Sequence, residues 1–137
     1  ELNRQALEPQ TAARIELIRG SWFDAVPASL HGMIDCIVTN PPYLARAEWD
    51  ELEPVVKDHD PYGALVAGPT GLEAYEVILA GSGNMLSEGG AVIAEIAPHQ
   101  AGDLVQMAWA AGAAVVEIRR DLAGRERVLT ARWPDSR

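Results

Sequence analysis

The chain has 137 residues, 48% hydrophobic and 23% charged, the length and composition of one globular domain with a real core. Its formal charge of −9 and pI of about 4.7 argue against a phosphate-backbone partner, which needs clustered Lys and Arg. One cysteine, Cys36, excludes an internal disulfide or a cysteine-built zinc cluster and fits a reducing, cytoplasmic compartment. No apolar run reaches the roughly 18–20 residues of a membrane span, and the first residues lack the pattern of a signal peptide.

Residues 1–8 have helix-favouring composition, and Pro9 with Gln10-Thr11 is expected to end that helix. Arg14–Arg19 alternates apolar and charged residues, which predicts a half-buried strand ended by Gly20-Ser21. Ile34–Thr39 is a short, nearly continuous apolar run, which predicts a parallel strand buried on both faces, with Cys36 as a small core residue. Asn40-Pro41-Pro42 stops it, because proline cannot donate to the ladder. Residues 44–69 are polar and proline-punctuated and read as a functional loop with one helical turn near Ala47–Leu52. The acidic stretch Glu48–Asp60 within it reads as solvated surface.

Thr70, with Glu73 as its capping-box partner, is expected to start a helix. Leu72, Tyr75, Leu79 and Leu86 would share one face, and Glu88-Gly89-Gly90 would close it. Ala91–Ala97 predicts a second buried strand, and Gln100–Ala111 a helix ended by Gly112. Ala114–Ile118 and Arg127–Trp133 predict an antiparallel edge hairpin through Asp121-Leu122-Ala123-Gly124. Residues 119–137 hold six arginines against three acids, a local +3 that also reads as solvated surface and is too weak to specify nucleic acid. The alternation of apolar strands with crossover-length helices predicts an α/β fold with a mostly parallel sheet.

The most specific local feature is Asn40-Pro41-Pro42-Tyr43, at the carboxyl end of a predicted strand, where open α/β sheets bind ligands. The two prolines stiffen the loop and remove its N–H donors, leaving carbonyl acceptors. Asn40 adds a side-chain acceptor, so the set suits an NH2 group, and Tyr43 offers a flat face for a planar amide or base. Other candidates have structural readings. Asp35 would bond neighbouring backbone, Glu95 would form an ion pair, and Gly68 and Gly71 would serve a turn. Gly81-Ser82-Gly83 sits too late in a helix for a nucleotide loop, and His31, His59 and His99 lack metal-ligand spacing.

Asp35–Tyr43 resembles the motif IV strand and loop of AdoMet-dependent amino-methyltransferases. Five further segments narrow the likeness: Gly20-Ser21-Trp22-Phe23, Asp60–Leu65, Gly68–Tyr75, Glu95-Ile96 with His99-Gln100, and Asp121–Val128. In order, over nearly the whole chain, they resemble the HemK/PrmC-type release-factor glutamine methyltransferases. Asn-Pro-Pro-Tyr alone is shared with DNA adenine methyltransferases. Two alternatives therefore stand beside the main reading: an adenine-N6 nucleic-acid methyltransferase, which the charge opposes, and a non-catalytic module keeping part of the fold.

The resemblance implies a Rossmann-like class I sheet of order 3-2-1-4-5-7-6. It implies methyl transfer from S-adenosyl-L-methionine to the side-chain amide nitrogen of Gln in the Gly-Gly-Gln motif of peptide-chain release factors. By matching position, Asn40 and the Pro41 carbonyl would accept hydrogen bonds from the amide and carry catalysis, with Pro42 and Tyr43 completing the substrate site. Trp22 would lie at the cofactor's adenine, with Asn40 also beside the cofactor. No general base and no metal are implied. The family's glycine-rich cofactor loop, its acidic ribose ligand and its N-terminal helical domain have no match in residues 1–137. The chain would thus be a C-terminal portion of the methyltransferase domain, supplying strands 3 to 7 only. Alone it is expected to bind cofactor weakly or not at all and to be inactive, with a bare edge on strand 4 open to a second copy.

Overall fold

A computed structural model describes residues 2–135. Glu1 and Arg137, which belong to the predicted first helix and the basic tail, lie outside the described residues. The amino-terminal third has little regular structure: α1 (Leu2–Gln5), α2 (Pro9–Ala12) and two 3-10 turns at Trp22–Ala25 and Ala28–Leu30. Pro9 begins α2 and does not merely end α1, because its fixed φ and missing N–H suit the first helical position. Residues 14–19, expected as a strand, join no sheet among the described residues and are largely exposed. Alternation can mark a strand only where a neighbour completes the ladder, and no described strand lies beside this segment.

The remaining elements in chain order are β1 (Ile34–Thr39), β2 (Leu44–Ala45), α3 (Arg46–Glu51), α4 (Pro54–His59), α5 (Tyr62–Leu65), β3 (Val66–Gly68), α6 (Glu73–Met85), β4 (Leu86–Glu95), α7 (Ala101–Ala110), β5 (Val115–Arg120) and β6 (Glu126–Arg132), with a 3-10 turn at Pro98–Gln100 before α7. The main sheet has the order β1-β4-β6-β5. β1 and β4 are parallel, and β6 is antiparallel to both β4 and β5. Three of the four strands therefore run the same way, with β6 reversed between β4 and β5. This is the order expected for strands 4-5-7-6 of the class I methyltransferase sheet, with the hairpin at one edge as predicted.

Both crossovers, β1 to β4 and β4 to β5, step the same way across the sheet, so the handedness rule places α6 and α7 on one face. Tyr75, Ile78 and Leu79 of α6 and Leu104 and Ala108 of α7 bury against Val92, Ala94, Leu129 and Ala131 on that face. The opposite face is open: Cys36 is exposed and Val38 is 74% exposed. The expectation of a strand buried on both faces, with Cys36 in the core, is thus corrected. β1 is an edge strand, and an apolar run cannot report that no helix covers its second face.

Further corrections concern the ends of α6. The helix stops at Met85, and Leu86 through Gly90 already belong to β4. Gly89, at a φ of 70°, lies where the β1–β4 register shifts, so the glycine pair marks a strand irregularity and not a helix cap. At the other end Glu73 is the first helical residue. Its carboxylate accepts from the Thr70 N–H at 2.8 Å, the Thr70 hydroxyl at 2.9 Å and the Gly71 N–H at 3.0 Å. The Thr70–Glu73 partnership is as predicted: Glu73 takes the Thr70 and Gly71 N–H groups, and the Thr70 hydroxyl accepts from the Leu72 N–H at 3.2 Å.

Partial burial pushes the Glu73 carboxyl up, but the hydrogen bonds from Thr70, its own N–H and Gly71 outweigh it and leave the pKa below 4.5. A lowered folded-state pKa means the unfolded chain binds more protons in that window. Stability from this group is then present above pH 4.5 and lost as pH falls through the folded value. Glu73→Ala is expected to cost about 0.5–2 kcal/mol near neutral pH, as loss of a cap does. Urea denaturation at pH 7 and in acid checks this: the difference between the two proteins should shrink as the carboxylate protonates.

Candidate substrate site at the carboxyl ends of β1 and β4

The parallel strands β1 and β4 end at the same side of the sheet, and the Asn40-Pro41-Pro42-Tyr43 loop leaves β1 there. Asn40, Pro41, Pro42 and Tyr43 together line a cavity of about 240 Å3. Its remaining wall is apolar: Leu44, Leu52, Val56, Ala64 and Leu65. Among the described residues, neither the Asn40 carboxamide nor the Pro41 carbonyl has a hydrogen-bond partner. Two acceptors therefore stand beside an apolar cavity with their hydrogen-bonding capacity unspent. Asn40 is exposed and Pro41 buried, so both acceptors are free to take an incoming donor at the mouth of the cavity.

Residues 44–69, read as mostly irregular, form a closed excursion. β2 and β3 pair in parallel at its two ends, and the Tyr43 N–H donates to the Leu65 carbonyl at 3.1 Å. α3, α4 and α5 fill the excursion and carry Leu52, Val56 and Ala64–Leu65 to the cavity wall. The Ala45 N–H donates to the Glu48 carboxylate at 2.6 Å, which secures the start of α3. Trp49 and Tyr62 meet edge to face, with centroids 4.9 Å apart, and tie α3 to α5. These cavity residues escaped the sequence reading because helices of four to six residues are too short to display a 3.6-residue period. The available signal was the spacing of Leu52 and Val56, four apart.

The turn from β3 into α6 passes directly behind the loop. Gly71 has a φ of +83°, and a Cβ there would stand 2.6 Å from the Tyr43 carbonyl oxygen. Its role is turn chemistry, as expected. The turn's N–H donors at Thr70 and Gly71 are already taken by Glu73, so it offers no cradle for a phosphate. Beside it Gln100, only 2% exposed, donates to the carbonyls of Tyr43 at 2.9 Å and Gly71 at 3.1 Å. No role for Gln100 was legible beforehand, because both partners are remote in sequence.

Below the loop, the Tyr75 hydroxyl donates to the Glu95 carbonyl at 2.6 Å, joining α6 to the end of β4. Burial first, then the neighbouring Tyr43 and Glu95, pushes the Tyr75 phenol well above its ordinary value, so it remains a neutral donor. Trp22 does not join the Asn40 cavity. It lines a separate cavity of about 380 Å3 with Phe23, Val26 and β1 residues as far as Thr39, the neighbour of Asn40. Its backbone φ of 46° lies in the left-handed region, an uncommon conformation for a bulky side chain. Phe23 crosses α6 where Gly81 lacks a side chain, since a Cβ there would lie 2.4 Å from the ring.

The minor candidates resolve as follows. Asp35 accepts from the Ser87 hydroxyl at 2.8 Å; it bonds a side chain, not backbone, because β1 exposes it beside the β4 irregularity. Glu95 pairs with Arg127 at 3.9 Å, the structural ion pair expected. Gly81-Ser82-Gly83 lies within α6, where Ser82 donates back to the Ile78 carbonyl. The rings of His31 and His59 lie against the carbonyls of Val26 and Val55, and His99 is exposed in the 3-10 turn. Among the described residues no helix is long and apolar enough to cross a membrane.

Sequence comparison with known proteins gives relatives of the chain. No family model matches the chain. The chain is 40% identical over 123 residues to a release factor glutamine methyltransferase of Cereibacter sphaeroides, covering 90% of this chain and 43% of that protein. It is 38% identical over 120 residues to the protein of the same name from Agrobacterium fabrum, and 34% identical over 140 residues to that of Streptomyces coelicolor. These alignments cover 88% and 96% of the chain, but 40% and 48% of the relatives. The chain thus spans less than half the length of the relatives it matches. By sequence it is related, over about nine-tenths of its length, to the release factor glutamine methyltransferases.

Proposed function

We propose that this chain is the C-terminal portion of a methyltransferase domain and carries its amide-binding half. The reaction is methylation of the Gln side-chain nitrogen in the Gly-Gly-Gln motif of a peptide-chain release factor, with S-adenosyl-L-methionine as donor. The observation that carries the reading is the pair of unspent acceptors, Asn40 and the Pro41 carbonyl, whose residues line a partly open, largely apolar cavity. A carboxamide NH2 has two donors and matches two acceptors. The volume of about 240 Å3 is below the roughly 300–1,000 Å3 typical of clefts for drug-sized ligands, and suits one extended side chain.

An amide nitrogen is a poor nucleophile. Accepting both of its N–H groups keeps electron density on nitrogen and fixes the group's orientation, which is where rate is gained. Pro41 and Pro42 keep the acceptors in place, and Tyr43 packs along the substrate side chain. The donor, when bound, supplies an electrophilic methyl group. Trp22 and the Asn40 end of β1 fit the adenine side of such a donor, since their cavity leads to Thr39. The glycine-rich loop and acidic ribose ligand that such a donor needs have no match in residues 1–137. This chain alone is therefore expected to give no saturable heat with S-adenosyl-L-methionine in calorimetry.

The net charge of −9, with acidic α3 beside the cavity, sets this reading against a nucleic-acid substrate. The reading implies a cytoplasmic protein, since that is where release factors act. The free edge of β1 is the surface through which the isolated chain self-associates. The test is methyl transfer by the natural protein containing this chain, offered a release factor, the same factor with Gln of the Gly-Gly-Gln motif changed to Ala, and duplex DNA. Label on the first alone supports the reading; label on DNA overturns it.

A further inference from the structure

We propose that Gln100 is a positioning residue for the amide-binding loop: its buried carboxamide sets the direction in which Pro41, Pro42 and Tyr43 present themselves. This rests on the function proposed above and adds a residue that touches neither substrate nor cofactor. The Tyr43 peptide is held at both ends. Its N–H donates to Leu65 at 3.1 Å, and its carbonyl accepts from Gln100 Nε2 at 2.9 Å. The second Nε2 hydrogen reaches the Gly71 carbonyl at 3.1 Å, and Oε1 accepts from the Ala97 N–H at 3.4 Å. One side chain thus joins the loop after β1, the turn before α6 and the segment after β4, across sequence separations of 57, 29 and 3 residues.

A second observation concerns the same point. Gly71 is bare where a Cβ would stand 2.6 Å from the Tyr43 oxygen and 2.9 Å from Gln100 Nε2. The space Gln100 occupies exists only because residue 71 has no side chain. At 2% exposure the amide has no water to fall back on. Both of its donors are committed to carbonyls that would otherwise lack them. A carbon or carboxylate in place of Nε2 releases Tyr43 while leaving the cavity wall chemically intact. The expected signature is a loss in turnover without a loss in donor affinity, since orientation of the amide and not its contacts is disturbed.

The test uses the natural protein and two variants, Gln100→Met, which keeps the shape, and Gln100→Glu, which replaces the donor with an acceptor. Each is expected to lower kcat for release-factor methylation by roughly 10–100-fold, with KM for the methyl donor unchanged. Amide hydrogen exchange should accelerate at Tyr43 to Ala45 and remain slow in α7 around Leu104 and Ala108. Unchanged kcat in a folded variant would overturn the positioning role. Loss confined to the unfolded fraction, with exchange rising equally in α7, would reduce Gln100 to a packing residue and overturn it too. In the unchanged protein, the Gln100 side-chain amide protons should exchange more slowly than those of exposed Gln106; equal rates refute the clamp even if neither variant folds. Absence of methyl transfer by the wild-type protein would instead refute the proposed function, and the exchange data would still decide the clamp.

Discussion

Replacing Asn40 by alanine in the natural protein is expected to lower kcat for glutamine methylation by roughly 10²–10³-fold, about 2.7–4 kcal/mol, as loss of one preorganised polar contact does. The side chain lies on the cavity wall with no intramolecular partner among the described residues, so its removal leaves the fold unaltered. What is lost is one of two acceptors for the substrate NH2. The amide could then rotate about its remaining bond to Pro41, and its nitrogen would spend most of its time misaimed. KM for the release factor should change little, because a protein substrate draws its binding from a wider surface than one side chain. Steady-state kinetics with thermal unfolding of both proteins check this, and near-wild-type turnover would remove Asn40 from the mechanism.

Gly71→Ala is expected to be the more damaging change to stability, by about 2–4 kcal/mol, the sum of a left-handed alanine and overpacking against backbone. The added Cβ would meet the Tyr43 oxygen at 2.6 Å, Gln100 Nε2 at 2.9 Å and the Ala45 nitrogen at 3.0 Å. Two of these three are main-chain atoms and cannot swing aside as a flexible side chain would. The loop itself must move, so activity should fall further than the unfolded fraction explains. Gly102→Ala is the matched control: it lies in α7 with nothing within 4 Å of the new Cβ. There alanine should be neutral or stabilise by up to about 1 kcal/mol through helix propensity. Urea titrations of the two variants decide the matter, and equal midpoints would contradict the close approach.

These residues also show how much was legible beforehand. β1 was read to the residue and α7, β5 and β6 to within two, while β4 begins five residues before the expected Ala91, because glycines 89 and 90 read as a helix end. The acceptor loop was legible because its chemistry is local: an asparagine and two prolines at a strand end need no distant partner to be recognised. The exposure of Cys36 and Val38 was not legible, since it depends on which face the crossovers cover. The strand expected at residues 14–19 failed for a related reason, as alternation says nothing of whether a neighbour exists. The cavity wall in α3 to α5 lacked periodicity, and Gln100 acts on carbonyls far away in the chain. Local patterns carried the chemistry of the site; its enclosure and alignment are tertiary.

The most direct measurement is fragment mass spectrometry of a release factor after incubation with the natural protein and S-adenosyl-L-methionine. A single methyl on the side-chain nitrogen of Gln in the Gly-Gly-Gln peptide is the result this account predicts. An unmodified peptide, or a methyl on any other residue, would contradict it.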